Sequence, residues 1–180
     1  PFLPMIPVQM LIQNLVYDFT QIAIPWDNVD EEFMRVPKKW DTHSLSRFMN
    51  VLGPVSSVFD VATFAILWFA LGYRTAGQQA LFQTGWFIEG LISQTTIVHF
   101  IRTSKIPFIE SRADIRLIFS SFCGILAALV LPQALHLITS FHFTLMPAAY
   151  YGYLVIILVF YAVAIEAVKR IYIKKEGEWL

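Results

Sequence analysis

Long apolar runs alternate with short polar loops along the whole chain. Five stretches, roughly 3–25, 48–73, 80–101, 117–138 and 147–168, carry almost no charge. Each is near the about 20 residues that a membrane-spanning helix requires. An open β-sheet could not bury its edges in lipid, whereas a helix satisfies every backbone group within the segment. The pattern therefore predicts an all-α membrane protein, a bundle of five transmembrane helices. Composition agrees, with 57% hydrophobic and 14% charged residues, which sets the chain apart from soluble domains.

The basic residues orient the bundle. Arg35, Lys38, Lys39 and Arg47 follow the first run, Arg102, Lys105, Arg112 and Arg116 follow the third, and Lys169, Arg170, Lys174 and Lys175 follow the fifth. Every lysine and arginine except Arg74 thus falls on one side, and the positive-inside rule makes that side the cytoplasm. The N-terminus is then expected outside and the C-terminus inside. A chain that starts outside, with neither initiator Met nor signal peptide, is expected to be the C-terminal piece of a longer protein.

The first run holds the most informative chemistry. Asp18 is the only charge before Trp26, and a carboxylate within a span marks an ion or proton pathway by default. Asn14, Tyr17 and Gln21 share its helical face. Carboxylate and amide oxygens suit hard cations such as Mg²⁺ and Ca²⁺. The stripe supports either cation binding or a hydrogen bond that fixes packing against a neighbouring helix.

Other polar positions lead less directly to function. The loop 25–47 begins acidic (Asp27, Asp30, Glu31, Glu32) and turns basic, which suits a solvated loop at the lipid headgroups or a docking surface for a cytoplasmic domain. Pro25 is expected to end or kink the first helix. In the second run, Gly53-Pro54 predicts a kink, with flanking hydroxyls to satisfy the freed backbone. Asp60 shares a side with Ser56, Ser57 and Thr63, which suits interhelical hydrogen bonding or a place on an ion pathway.

Gly85, Glu89, Ser93 and Thr96 form a small and polar face on the third run. Glu89 reads as a solvated or packing acid near the outer end, or as a second cation ligand. His99 is expected at the interface. The fourth run is apolar on nearly every side and is expected at the periphery. Tyr150, Tyr151 and Tyr153 open the fifth as an outer aromatic belt, and Glu166 is placed to pair with Arg170. Cys123 is a lone thiol in an apolar run. The chain has no glycine-rich phosphate loop, no His/Cys ligand cluster and no basic tract with interleaved aromatics, so no nucleic-acid partner and no self-contained enzyme site is expected.

Several stretches carry a family resemblance. The run L-I-Q-N-L-V-Y-D-F-T-Q-I-A-I-P-W-D-N-V-D resembles the sixth transmembrane helix of P-type cation-transporting ATPases. It continues through G-P-V-S-S-V-F-D, L-F-Q-T-G-W-F-I-E-G-L-I-S-Q-T and H-F-I-R-T-S-K-I-P-F-I. Together these resemble the magnesium-transporting branch, and the similarity covers essentially the whole chain, 1–180.

The resemblance implies that the five helices are the sixth to tenth of a ten-helix ATPase, with the upstream ATPase domains absent. Asn14 and Asp18 would be ion ligands at a partly unwound stretch. Tyr17 stands where calcium pumps of the family tend to carry a hydroxyl Thr, and Gln21 and Asp60 are weaker candidates. Glu89 lies on the helix where those pumps place an extra acidic ligand. Magnesium would be the transported ion, while the missing domains would bind ATP and Mg²⁺ and carry the phosphorylation motif, which does not occur here. The implied partners are the bilayer, the remaining helices and the cytoplasmic domains of the same ATPase, in the plasma (bacterial inner) membrane. The implied mechanism is alternating access driven by a phosphorylated intermediate, with import of magnesium. The alternatives are a calcium or other cation pump of the same family, and a channel, secondary transporter or structural bundle.

Overall fold

A computed structural model describes residues 2–35, 42–177 and 179. Pro37, Lys38, Lys39 and Trp40, expected as part of the first basic loop, lie outside the described residues. The described residues are helical, with an isolated bridge between Pro107 and Ser111 in place of any strand. The helices are α1 (Pro7–Gln21), α2 (Glu31–Met34), α3 (Thr42–Ala65), α4 (Gln79–Ile101), α5 (Ile115–Leu135) and α6 (Ala148–Glu176). Among the described residues, three helical stretches are long and apolar enough to cross a membrane: Thr42–Ala70, Ile115–Leu135 and Ala148–Glu176.

α1, α2 and α4 fall outside that set. α1 has 15 residues, about 22 Å of helix, against a hydrocarbon core of about 30 Å. It ends at Gln21, before Pro25, which sits inside a separate 3₁₀ turn, Ile24–Trp26. The expected span 3–25 is therefore a shorter helix with extended and turned ends. Asn14 to Asp18 is regular helix, which corrects the expectation of an unwound stretch. No proline or glycine falls between Val8 and Ile24 to break the ladder.

α4 is the hub. It packs against α1, α3, α5 and α6, and Gln83, Thr84, Glu89, Thr95 and His99 are all buried along it. A helix surrounded by protein can carry polar groups that lipid would reject, provided its neighbours satisfy them. At Gly85 an added Cβ would lie 2.7 Å from Leu67 Cδ2 and 3.2 Å from Tyr150 Cε2, so the glycine lets α3 and α6 close on α4. Tyr150 then reaches across and donates to the Gly85 carbonyl at 2.6 Å.

α3 passes Pro54 without ending, and Ser57 Oγ donates to the Gly53 carbonyl at 3.2 Å, so one flanking hydroxyl is spent on the backbone. Its last turn widens to a π-helix, Ile66–Ala70, with Leu71 N donating to the Ile66 carbonyl at 2.9 Å. Gly72, at φ +73°, then adopts the left-handed conformation that turns the chain.

Three peripheral expectations change. α5 is not simply peripheral: Ser121, Gly124 and Ala128 are buried against α1 and α4, while Phe119, Phe122, Leu126 and Val130 face outward. Small residues on one face and large ones on the other allow both roles. Of the tyrosine belt, only Tyr153 is exposed; Tyr150 is buried, and Tyr151 Oη accepts from Gln133 Nε2 at 3.1 Å. His99 is buried, with Nε2 2.9 Å from Ser121 Oγ and its ring against Phe108.

The loops expected on the basic side do gather at one end. Arg102 pairs with Asp27 and donates to the Asn28 carbonyl at 2.7 Å and to Ser111 Oγ at 3.1 Å. Thr103 and Ser111 donate their hydroxyls to Asp30, and Asp114 N donates to Asp27 Oδ1 at 2.8 Å. Burial pushes the Asp30 carboxyl up, but those hydroxyls and the charges of Lys105 and Arg102 outweigh it and hold the group below its ordinary value. Asp27 and Asp30 are thus clasped to the α4–α5 connection rather than fully solvated.

Glu166 pairs with Arg170 at 3.1 Å, as its spacing implies, and also with the fully buried Lys169 at 2.8 Å. Lys169 Nζ donates onward to the Lys105 carbonyl at 2.7 Å, closing the end of α4. At the same end Arg47 pairs with Glu176 at 2.6 Å, and Trp179 Nε1 donates to the Ile101 carbonyl at 2.8 Å. Arg74 lies apart, bonded to the Trp68 carbonyl at 2.8 Å.

Candidate cation site

α1 presents two polar faces. Gln9, Gln13 and Thr20 form the inner one, and all three are buried. Gln9 donates to the Phe141 carbonyl at 2.9 Å, and Gln13 lies over Gly90 of α4, where an added Cβ would come within 2.9 Å of the Gln13 amide nitrogen. Thr20 donates to the Tyr17 carbonyl at 2.6 Å. At 100° per residue, the row of Asn14 and Asp18 lies roughly 140° round the helix from this inner face.

Asn14 and Asp18 are accordingly exposed. They stand one turn apart on the same side, flanked by Leu11, Leu15, Phe19 and Ile22, which are also exposed. The predicted stripe thus divides. Tyr17, half-buried, packs against the main core, and Gln21 donates its amide to Thr20 Oγ1 at 3.0 Å. Asn14 and Asp18 remain as an adjacent amide and carboxylate in an apolar field. Among the described residues no hydrogen bond or ion pair reaches either side chain. Carboxylate and amide oxygens are donor types that hard cations accept.

The second acidic pair lies deeper. Glu89 sits near the middle of α4 and is only 1% exposed, which sets aside the solvated alternative and leaves the packing and ligand readings. The cause is packing, because Glu89 lies on the part of α4 that α3 and α6 enclose. Asp60, from α3, lines a cavity together with Glu89 and lies near the Trp86 side chain of α4. Ser56 and Tyr161, which join α3 to α6 at 3.0 Å, also line it. Asp60 and Glu89 are thus brought together, while Asn14 and Asp18 stand on a separate face. Among the described residues no group of three or more His, Cys, Asp or Glu side chains forms a metal cluster.

Sequence reasoning missed the inner face of α1 and the buried Lys169. The first had a signal, since residues 9, 13 and 20 fall on one helical face. The second had none, because a lysine in the last turns of a helix ordinarily reads as solvated.

A helical bundle with long apolar lengths of this kind belongs to the class of multi-pass membrane proteins. The family described as "Cation transporting ATPase, C-terminus" matches residues 2–171, and this chain belongs to it. Similar proteins include "Magnesium-transporting ATPase, P-type 1" of Salmonella typhimurium strain LT2, 44% identical over 99% of this chain. The protein of the same name in Escherichia coli K12 is 43% identical over 98% of this chain. The chain spans about a fifth of the length of these relatives, 20% in each case.

Proposed function

We propose that this chain is the C-terminal membrane part of a P-type ATPase that moves magnesium into the cytoplasm, and that Asn14 and Asp18 bind the transported ion. The observation that carries the reading is the open face of α1. A carboxylate and an amide stand there side by side among exposed apolar residues, a placement that is costly in lipid unless other helices and an ion complete it. The names of the relatives support magnesium as the cargo. Tyr17 and Gln21 border the site from its inner edge and act on it through packing.

In this reading further helices of the parent cover the α1 face, and domains outside this chain bind ATP and Mg²⁺ and carry the phosphoryl group. Phosphorylation there shifts the helices between two arrangements that differ in affinity for the ion, which is what a change of access requires. The clasp of Asp27 and Asp30 onto the α4–α5 connection ties the exit of α1 to the bundle, so that α1 moves with α4 and α5. The basic end of the bundle is cytoplasmic, with the chain's N-terminus outside, in the plasma (bacterial inner) membrane.

Vesicles containing the purified parent, with the ATP-binding side outward, test the reading. ATP should drive vanadate-sensitive loss of labelled magnesium from the lumen, in preference to calcium at fixed Mg-ATP. Calcium transport without magnesium transport would assign the chain to another cation pump. Absence of ATP-driven movement from an active preparation would reject the pump.

A further inference from the structure

The buried face of α1 fixes which way its open face points. Gln13 and Thr20 lie on one side of the helix about two turns apart, and each meets a glycine of a different neighbour. Gln13 rests on Gly90 of α4, its amide nitrogen 2.9 Å from the place of an added Cβ. Thr20 rests on Gly124 of α5, its methyl so close that no Cβ could be added there without displacing it. That methyl cannot swing aside freely, because threonine is stiff at χ1 and its hydroxyl is committed to the Tyr17 carbonyl at 2.6 Å. The main chain is held at the same point, since Ser120 of α5 donates to the Thr20 carbonyl at 3.0 Å.

Asn14 and Asp18 lie between these two contacts along the helix and roughly 140° round it. A helix with its side chains is about 5–6 Å in radius, so a rotation of about 20° carries a side-chain tip through about 2 Å. Mg²⁺ takes its oxygens at about 2.0–2.1 Å in near-ideal octahedral geometry, and a binding constellation tolerates about 0.5 Å of misplacement. A small turn of α1 would therefore carry both side chains out of register with ligands on any other helix.

We infer that Thr20 seated on Gly124, with Gln13 seated on Gly90, sets the rotation of α1 and thereby the affinity of the Asn14–Asp18 pair for its ion. Gln13 and Thr20 are positioning residues, and they act on the ion only through the direction of that pair. The inference rests on the reading of Asn14 and Asp18 as ligands and adds how their direction is held. Close approach at glycine would by itself stabilise a bundle. Two contacts on separate helices, one near each end of the ligand pair, also resist rotation, where a single contact would serve as a pivot. The Thr20 contact is the stiffer of the two, since Gln13 meets Gly90 with the far end of a flexible side chain.

Mg²⁺ binding at equilibrium to the full-length parent in lipid nanodiscs, without nucleotide, tests the inference. The bound equivalent to follow is the one that Asp18→Asn removes. Gly124→Ala puts a methyl where the Thr20 methyl lies and should weaken that equivalent about tenfold, a coupling usual for touching residues. Adding Thr20→Ser removes the Thr20 methyl but keeps the hydroxyl, and should return the affinity to that of Thr20→Ser alone. Wild-type affinity in folded Gly124→Ala would overturn the inference even if its melting point fell, because the contact would then only pack helices. A loss that Thr20→Ser fails to recover would overturn it as well. If Gly124→Ala does not fold, Gln13→Ala decides, since it adds no atom: weaker binding upholds the inference and wild-type affinity overturns it. If Asp18→Asn removes no equivalent, the ligand reading fails and takes this inference with it. If Asp18→Asn removes one and Gly124→Ala leaves it unchanged, only this inference fails.

Discussion

Arg102, in the turn after α4, forms an ion pair with Asp27, just beyond α1, and both side chains are largely buried, at 8% and 12% exposure. Two segments 75 residues apart in the chain are thus joined at the basic end of the bundle. The pair is embedded in further bonds, from Arg102 to the Asn28 carbonyl and from Asp114 N to Asp27. Removing one partner of a buried pair leaves the other charge uncompensated, typically at a cost of about 3–5 kcal/mol. Arg102→Ala should therefore lower the thermal stability of the parent clearly, while Arg102→Ala with Asp27→Asn should recover part of the loss. Unfolding in nanodiscs measures this, and an unchanged midpoint in Arg102→Ala would contradict the clasp.

Gly85 sets how closely α3 and α6 approach α4. Its Cβ position is filled by Leu67, Tyr150 and Met146, so Gly85→Val has to push side chains aside. Overpacking of this kind costs about 1–3 kcal/mol, and it should also break the Tyr150 hydrogen bond to the Gly85 carbonyl. Gly152, with nothing within 4 Å of its Cβ position, should accept alanine with little change. Melting of the two variants in the same lipid provides the comparison.

Asp30 supplies a pH signature. Its carboxyl is held below the ordinary value of 3.8, so folding favours the ionised form. The stabilisation is fully present above that ordinary value and is lost as pH falls through the lower folded value. The stability difference between wild type and Asp30→Asn should therefore stay constant from neutral pH down to about pH 5 and shrink only in stronger acid. A difference that vanished between pH 8 and 6 would show that another group titrates.

Much of the fold was legible because lipid makes such simple demands. Runs without charge had to be helices, and the lysines and arginines had to collect, which Arg47, Arg102 and Lys169 do at one end. Polar residues in the third run already marked a helix made for the interior. What could not be read was how each face pairs. Glu89 looked accessible because burial depends on how α3 and α6 close on Gly85, a tertiary fact. Tyr17 sat in the Asn14–Asp18 stripe on a helical wheel, yet it lies between the two faces of α1 and is drawn toward the core. The helix boundaries shifted too, since the first apolar run continues well past Gln21 while its helix stops there.

If Asp18, on the open face of α1, binds the transported ion, its loss must weaken transport at the ion-binding step. ATP-driven, vanadate-sensitive release of labelled magnesium from vesicles containing the full-length parent is compared between wild type and Asp18→Asn. The variant's apparent affinity for lumenal magnesium is followed alongside its maximal rate. The variant, melting like wild type, should lose at least about tenfold in affinity, equivalent to about 1.4 kcal/mol. Wild-type affinity and rate in folded Asp18→Asn would contradict it and reduce Asp18 to a residue that packs against a neighbouring helix.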